Sequence, residues 1–494
     1  MRTLNPLKQL AGQTATYGLS SIVGRLLNYF LVPIYTRVFA EATYGVVTEM
    51  YAYSAFFIVL LISGMETAFF RYSEKYNTQK NKVFSTAFLS VCFFTLGFWI
   101  LSLSFNQSLS SVLRYSANPE YLIYLVFIIG LDALSAVPFA RLRAENKAQK
   151  FAFLKLFQIG LNIGLNLWFF LPHMDFVKEG SGIITEFAAT YGTESPEVAY
   201  VFISNLIASG LTFLLLCPEI FKHKLYFDTA LWKTLIRYGF PLLIAGMAGI
   251  SNETLDRILL KYLLPQDIAM AELGIYGACY KVSILISVFI QAFRYAAEPF
   301  FFAQEKNTDA RKTYASVMNY FVIIIGVIMM GILMYLDVVI KFVGEEFRTG
   351  VKVVPILLLA NVFLGIFYNL SVWYKLKNKT IYGAVLYSFG TLITVVLNII
   401  WIPIYGYVGS AWATLICYAS MAVGSYFIGR KIYPIPYNIK KIVLYIGSAV
   451  GLYFISTIID FHSFSEKMLV NTAFLITYLL IIIFAERKRL TAKF

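Results

Sequence analysis

Residues 15–39 read ATYGLSSIVGRLLNYFLVPIYTRVF, a largely apolar run of 25 residues with Arg37 near its end and a second cation, Arg25, near its centre. At about 1.5 Å per residue, a helix of this length exceeds the ~30 Å hydrocarbon core of a bilayer. A cationic side chain in the middle of such a span costs at least ~2.5 kcal/mol on insertion scales, and such residues face a partner or a water-filled space. Thr14, Ser21, Arg25, Asn28 and Thr36 follow at spacings of 7, 4, 3 and 8 residues, which places them on one helical face. A polar stripe carrying a cation predicts a lumen that takes something anionic.

The rest of the chain extends this pattern. It has 494 residues, of which 59% are hydrophobic and 14% charged, with a mean hydropathy of +0.70. A soluble globular chain carries about 25% charge. About fourteen spans are expected: roughly 13–39, 44–70, 83–105, 120–140, 150–171, 197–217, 234–263, 271–302, 313–336, 350–373, 380–402, 406–429, 440–459 and 468–485. The fold class is therefore all-α integral membrane. The alternating segments of a membrane β-barrel are absent. The first span is too long for a signal-peptide core and lacks a small-residue cleavage site, so it reads as a retained anchor. Cys92, Cys217, Cys279 and Cys417 have no metal or redox spacing, and His173, His223 and His462 lie in separate loops. No metal and no cofactor is expected.

The formal charge of +14 is not a nucleic-acid signal, because the basic residues are distributed by membrane side. With the N-terminus in the cytoplasm, the inside segments hold 28 of the 41 lysines and arginines, among them Arg71, Arg141, Arg143, Lys147, Lys150, Lys222, Lys375 and Arg430. That asymmetry follows the positive-inside rule and predicts two cytoplasmic termini. Residues 218–237 place Phe221, Leu225, Leu231, Trp232 and Leu235 among lysines and read as an interfacial amphipathic linker. The expected organisation is an N-lobe (1–217), this linker (218–237), a C-lobe (238–429), and two extra spans with a cytoplasmic tail (430–494). Tyr17-Gly18, Tyr44-Gly45, Tyr238-Gly239 and Tyr276-Gly277 open spans 1, 2, 7 and 8, a weak internal echo of two lobes.

Span 8 carries a second stripe: Tyr280, Ser287, Gln291, Arg294 and Glu298, spaced 7, 4, 3 and 4. It reads as lumen-lining, or as Arg294 snorkelling to the interface with Glu298 as partner. Lys281 sits deeper in the span. Glu253, Asp256 and Arg257 on span 7 read as a local ion pair or as a gate. Glu66 and Arg71 end span 2, and Arg71 is a candidate interface anchor. Asp132 lies mid-span without a local base and is the best candidate for proton coupling. Lys155, Gln158, Asn162 and Asn166 form a stripe on span 5, and Tyr387, Thr391, Thr394 and Asn398 one on span 11. Helix adhesion explains part of these stripes. Gly160/Gly164 and Gly447/Gly451 are expected to pack helices. Pro33, Pro138, Pro241, Pro299 and Pro355 are candidate kinks. No nucleotide-binding, serine-hydrolase or zinc-protease motif is present, so neither an enzyme nor an ATP-driven pump is expected.

The run YGLSSIVGRLLNYFLVPIYTRVFAEATYGVVT (17–48), with GMETAFFRY (64–72), YGFPLLIAG (238–246), Asp256-Arg257, GIYGACYK (274–281), QAFRYAAEPFFF (291–302) and GYVGSAWATL (406–415), resembles the polysaccharide-biosynthesis flippases of the multidrug/oligosaccharidyl-lipid/polysaccharide (MOP) exporter superfamily. The resemblance covers most of the first twelve spans. It implies two six-helix lobes in a V around a central cavity, working by alternating access in a bacterial cytoplasmic (inner) membrane. It also implies a polyprenyl-diphosphate-linked oligosaccharide as cargo, for O-antigen, capsule or exopolysaccharide assembly, with other polysaccharide-assembly proteins as candidate partners. Arg25, Arg294 and Lys281 then bind the diphosphate, where an arginine's planar fork matches phosphate oxygens. Asn28 and Gln291 are candidates for the sugar. Asp132, Glu66, Asp256, Arg257 and Glu298 are candidates for coupling to a proton or sodium gradient, or for gating. The alternatives are a cation-coupled multidrug antiporter of the same superfamily and a membrane glycan polymerase or glycosyltransferase.

Overall fold

The computed structural model describes residues 23, 26, 27, 29–174, 197–305, 307–377 and 379–490. Arg25, Asn28, most of the first expected span and the loop 175–196 lie outside them. Among the described residues every regular element is helical. Twelve helical runs among the described residues are long and apolar enough to cross a membrane. One of them, Ile381–Ile432, holds two expected spans, because the backbone turns at Gly406 (φ 59°, ψ −144°). With that run counted as two, and with the first expected span represented by Leu31–Val38, the structure accords with about fourteen spans.

The helices are α1 (Leu31–Val38), α2 (Glu41–Ile62), α3 (Met65–Lys75), α4 (Lys80–Ser104), the short α5 (Asn106–Val112), α6 (Glu120–Ala144), α7 (Ala148–Phe170) and α8 (Ala199–Ile220). They continue with α9 (Thr229–Leu263), α10 (Gln266–Gln304), α11 (Ala310–Met334), α12 (Val354–Leu370), α13 (Ile381–Ile432), α14 (Ile439–Ile458) and α15 (Phe464–Leu490). Large apolar side chains such as Phe93, Ile100, Leu214, Phe454 and Phe484 are exposed. Water opposes such a surface and hydrocarbon does not. Pro138 and Pro241 sit inside α6 and α9, whereas Pro355 occupies the first turn of α12, where the missing N–H has no helical partner to lose.

The chain separates into two compact units, Met1–Gly274 and Ile275–Phe494, with the boundary inside α10. α8 ends at Ile220, residues 221–228 are irregular, and α9 begins at Thr229 with the Asp228 carboxylate accepting the Leu231 N–H at 2.8 Å. There is no separate amphipathic helix here. The aromatic and leucine side chains that suggested one divide between the loop and the first turns of α9.

Two crossings without side chains between them tie α9 and the start of α10 into the first unit. A Cβ on Gly239 would lie 2.6 Å from the Ser63 carbonyl, and one on Gly64 2.7 Å from the Gly239 carbonyl. At the other end, a Cβ on Gly274 would lie 1.9 Å from the Glu41 carbonyl. Gly64 (φ 70°) and Ser63 (φ 48°) are both left-handed and break the second expected span into α2 and α3. The Tyr-Gly echo thus marks backbone contacts at Gly45 and Gly239. The GxxxG pairs expected to pack helices do not: among the described residues no atom from outside their own helix backbone lies within 4 Å of where a Cβ would be built on Gly160, Gly164, Gly447 or Gly451. Those faces are open.

In the second unit, α12 packs along α13, and Trp373 donates its indole N–H to Ser425 Oγ at 3.2 Å. The last two helices dock on α11. Glu486 accepts from Asn319 (2.9 Å), Tyr445 (2.7 Å) and Lys441 (2.5 Å), and Asn471 donates to the Met334 carbonyl at 2.7 Å. Tyr478 lies flush against Gly326 between these two polar clamps.

Candidate functional sites in the two units

α2 and α9 run antiparallel, so the Glu41 end of one lies beside the Leu263 end of the other. There Glu49 and Lys261 meet as a buried ion pair, Nζ to Oε2 at 2.8 Å. Bringing a carboxylate and an ammonium out of water is costly unless their remaining valences are filled. Here they are. Glu49 also accepts from Tyr53 (2.7 Å) and from Tyr115, and Lys261 donates to the Leu113 carbonyl at 2.6 Å and sits 3.9 Å from the Tyr115 ring centroid. Tyr53 reaches Tyr262 at 3.1 Å.

A cavity of about 500 Å³ opens beside this pair, lined by Arg114, Tyr115, Asn118, Tyr121, Lys261 and Gln266 among others. Arg114 is held there by the backbone. At the C-terminus of α5 the Tyr115 N–H bonds to Ser110 O (2.6 Å) and the Arg114 N–H to Ser111 O (3.0 Å), with Arg114 at φ 59°. This is a Schellman ending, whose left-handed position usually holds glycine or asparagine. The chain follows that rule at Asn146 (φ 57°), which closes α6 in the same way. An arginine in this conformation costs on the order of 1–3 kcal/mol. Neither Glu49 nor this cavity was singled out in the sequence, although a carboxylate inside an apolar span was a visible signal.

At the opposite end of the same unit, the basic residues of α6 and α7 are tied to acids. Glu66 pairs with Arg143, whose guanidinium also lies 4.9 Å from the Phe70 ring centroid. Arg141, 3% exposed, donates to Glu145 (2.7 Å), Asn81 (3.0 Å) and the Glu219 carbonyl (3.1 Å). Glu219 takes Lys147 (2.9 Å) and Lys150 (2.7 Å). Burial opposes ionisation of Glu145, but bonds from Arg141 and Lys147 outweigh it and hold the carboxyl below its ordinary value. Lys147 is raised by its bonds to Glu145 and Glu219. Arg71 lies 4.5 Å from the Tyr238 ring centroid.

Asp132 has partners from two other helices, a feature its own span does not reveal. Its Oδ1 accepts from Ser209 (2.8 Å) and Gln158 (3.2 Å), and Lys155, 3.5 Å from Gln158, is the cation whose field reaches it. Lys155 also lies 4.1 Å from the Phe139 ring centroid. Farther along the same stripe, Asn166 accepts from Tyr35 at 2.6 Å and donates to the Asn162 carbonyl. Thr36, the described member of the first stripe, is buried and donates to the Val32 carbonyl. Asp256 is buried and accepts its neighbour Arg257's N–H at 2.8 Å; Glu253 is exposed and Arg257 half-buried.

In the second unit, Arg294 lies over the Tyr368 ring, 4.2 Å from its centroid. The two line a cavity of about 20 Å³ with Phe293, Phe301, Ser371 and Lys375. Among the described lining residues two are cations and none is a carboxylate. Gln291 is half-buried one turn away, Lys281 is exposed beside a buried Tyr280, and the Glu298 side chain lies outside the described residues. The span 11 stripe packs helices: Asn398 accepts from Ser410 at 2.8 Å and donates to the Thr394 carbonyl at 2.7 Å.

Comparison with known proteins accords with these observations. The family described as "Polysaccharide biosynthesis protein" matches residues 175–304. The chain is 21% identical over 415 residues to "Lsg locus putative protein 1" of Haemophilus influenzae, covering 80% of this chain and 93% of that one. It is similar in structure to "Lipid II flippase MurJ, inward closed conformation", with a TM-score of 0.71 and 19% identity over 96% of this chain and 99% of that one. An inward-facing multidrug resistance MATE family transporter of the MOP superfamily gives a TM-score of 0.64 with 14% identity, over 83% of this chain and 94% of that one. The resemblance read from the sequence is thus borne out, and the fold is the helical membrane fold shared by these flippases and transporters. The chain is a multi-pass membrane protein.

Proposed function

We propose that the chain is a flippase that carries a polyprenyl-diphosphate-linked oligosaccharide from the cytoplasmic to the outer leaflet by alternating access, for assembly of a cell-surface polysaccharide. One observation carries this reading: among the described residues, the lining of one pocket in the second unit has Arg294 and Lys375 as its charged groups. A cationic wall suits a diphosphate. It disfavours the cationic drugs of a multidrug antiporter, whose fold is similar enough that shape alone does not choose. The cavity holds about one water in its present form, so entry of a diphosphate requires α10 and α12 to part at Tyr368. Arg25, Asn28, Lys281 and Gln291 extend the proposed path.

In this reading the two lobes are residues 1–217 and 238–429, both termini are cytoplasmic, and the Arg141–Glu219 network faces the cytoplasm of a bacterial inner membrane. The Glu49–Lys261 end then faces outward. Asp132 is the proposed ion-coupling residue, and Glu66, Asp256, Arg257 and Glu298 are proposed for gating. Arg294→Ala tests the reading. The variant is expected in the membrane at wild-type level, with surface polysaccharide reduced at least tenfold and the lipid-linked precursor retained inside. Normal export by Arg294→Ala, or resistance to cationic dyes on overexpression, overturns it.

A further inference from the structure

We infer that the cavity beside Arg114 binds an acidic sugar of the cargo glycan through its carboxylate, an inference that rests on the flippase reading. Its volume of about 500 Å³ falls within the ~300–1,000 Å³ of small-molecule sites. Its chemistry is that of a sugar site. The rings of Tyr115 and Tyr121, 6.4 Å apart, offer apolar surface. The amides of Asn118 and Gln266 offer both donors and acceptors to hydroxyl groups. Asn118 is oriented by its bond to Glu120 at 3.2 Å.

Charge narrows the class. Among the described lining residues two are cations and none is an acid. Lys261 is already engaged by Glu49 and the Leu113 carbonyl, so Arg114 is the cation placed to meet a ligand. Its guanidinium touches the Lys261 carbonyl at 3.4 Å and lies 5.3 Å from the Tyr262 ring centroid, contacts that leave most of its five donors for a bidentate partner. The backbone gives independent support. The fold holds an arginine where the Schellman ending favours glycine, and a strained residue persists where its side chain is used. A carboxylate on a pyranose satisfies both the guanidinium and the polar, aromatic wall; a free diphosphate satisfies only the guanidinium.

The test is calorimetric titration of the full-length protein in lipid nanodiscs with three probes: a hyaluronan tetrasaccharide (alternating glucuronate), neutral maltotetraose, and inorganic pyrophosphate. The acidic tetrasaccharide is expected to bind at least tenfold more tightly than the neutral one. Arg114→Gly, which suits the left-handed backbone, is expected to erase that preference with the thermal unfolding midpoint unchanged or raised. Arg114→Asn, also compatible with that conformation, is expected to behave in the same way. Equal binding of the two sugars, binding of neither, tighter binding of pyrophosphate than of the acidic tetrasaccharide, or a preference that survives both substitutions overturns the proposal. None of these outcomes bears on Arg294→Ala, whose export defect tests the flippase reading separately.

Discussion

Glu49 and Lys261, 212 residues apart in the chain, hold each other at 2.8 Å with side chains 0% and 3% exposed. The pair locks α2 to α9. Lys261→Met would leave a carboxylate buried without its counter-ion, a change that costs ~3–5 kcal/mol. The expected result is a marked fall in the thermal unfolding midpoint in detergent. Glu49→Gln combined with Lys261→Met should recover most of that loss, because an apolar or neutral replacement of both partners avoids the unpaired charge. If the double variant were as unstable as Lys261→Met alone, the pair would not be the source of the loss.

Gly239 and Gly160 make opposite predictions for the same substitution. A methyl on Gly239 meets the Ser63 carbonyl at 2.6 Å, and a backbone atom cannot move aside as a flexible side chain can. Gly239→Ala should destabilise by ~1–3 kcal/mol as an overpacked contact. Gly160→Ala meets nothing within 4 Å and should be neutral or mildly stabilising, since alanine favours helix by up to ~1 kcal/mol. Denaturant titration of the two variants separates these outcomes, and equal behaviour would contradict the close crossing.

Asp132→Asn keeps an Oδ1 that can accept from Ser209 and Gln158 and removes only the charge. The variant should remain folded and reach the membrane, because both hydrogen bonds keep their acceptor. Transport in proteoliposomes, driven by a proton or sodium gradient, should lose its dependence on that gradient. Unaltered gradient dependence would remove Asp132 from the coupling role proposed for it.

Asp228 gives the fold a local sensitivity to acid. The Leu231 N–H and then the Lys82 ammonium, at 2.5 Å, hold its carboxyl below the ordinary value. Because the folded value is depressed, the stabilisation is present above the unfolded pKa of about 3.9. It is lost as pH falls through the folded value. Amide exchange of residues 229–235, normalised to intrinsic rates, should therefore rise below about pH 4. In Asp228→Asn the cap acceptor remains and this acid step should be absent.

The span count was legible because hydropathy is written locally: each helix carries its own length and apolar content. Gly406 falls at the expected junction of spans 11 and 12 for the same reason. Partnerships were less legible, because they are made in space. Asp132 lacked a base in its own span, yet Ser209 and Gln158 come to it from α8 and α7. Lys261 lies at the end of the expected span 234–263, and its partner comes from α2. The GxxxG spacing at Gly160 and Gly447 states only that a smooth face exists. Whether another helix or lipid meets that face depends on the rest of the chain, and here α9 crosses at Gly64 instead.

The hairpin at Gly406 has almost no slack. A Cβ on Gly409 would lie 2.6 Å from the Trp401 carbonyl, and Asn398 is already bonded to Ser410 across the turn. A helix advances about 100° per residue. Inserting or deleting one residue at this turn would therefore swing the following helix by that angle and carry Ser410 away from Asn398. The spacing here is fixed by phase as much as by sequence. Length variation among natural versions of this protein should avoid the stretch from Trp401 to Ser410, where side-chain identity could drift more freely than residue count.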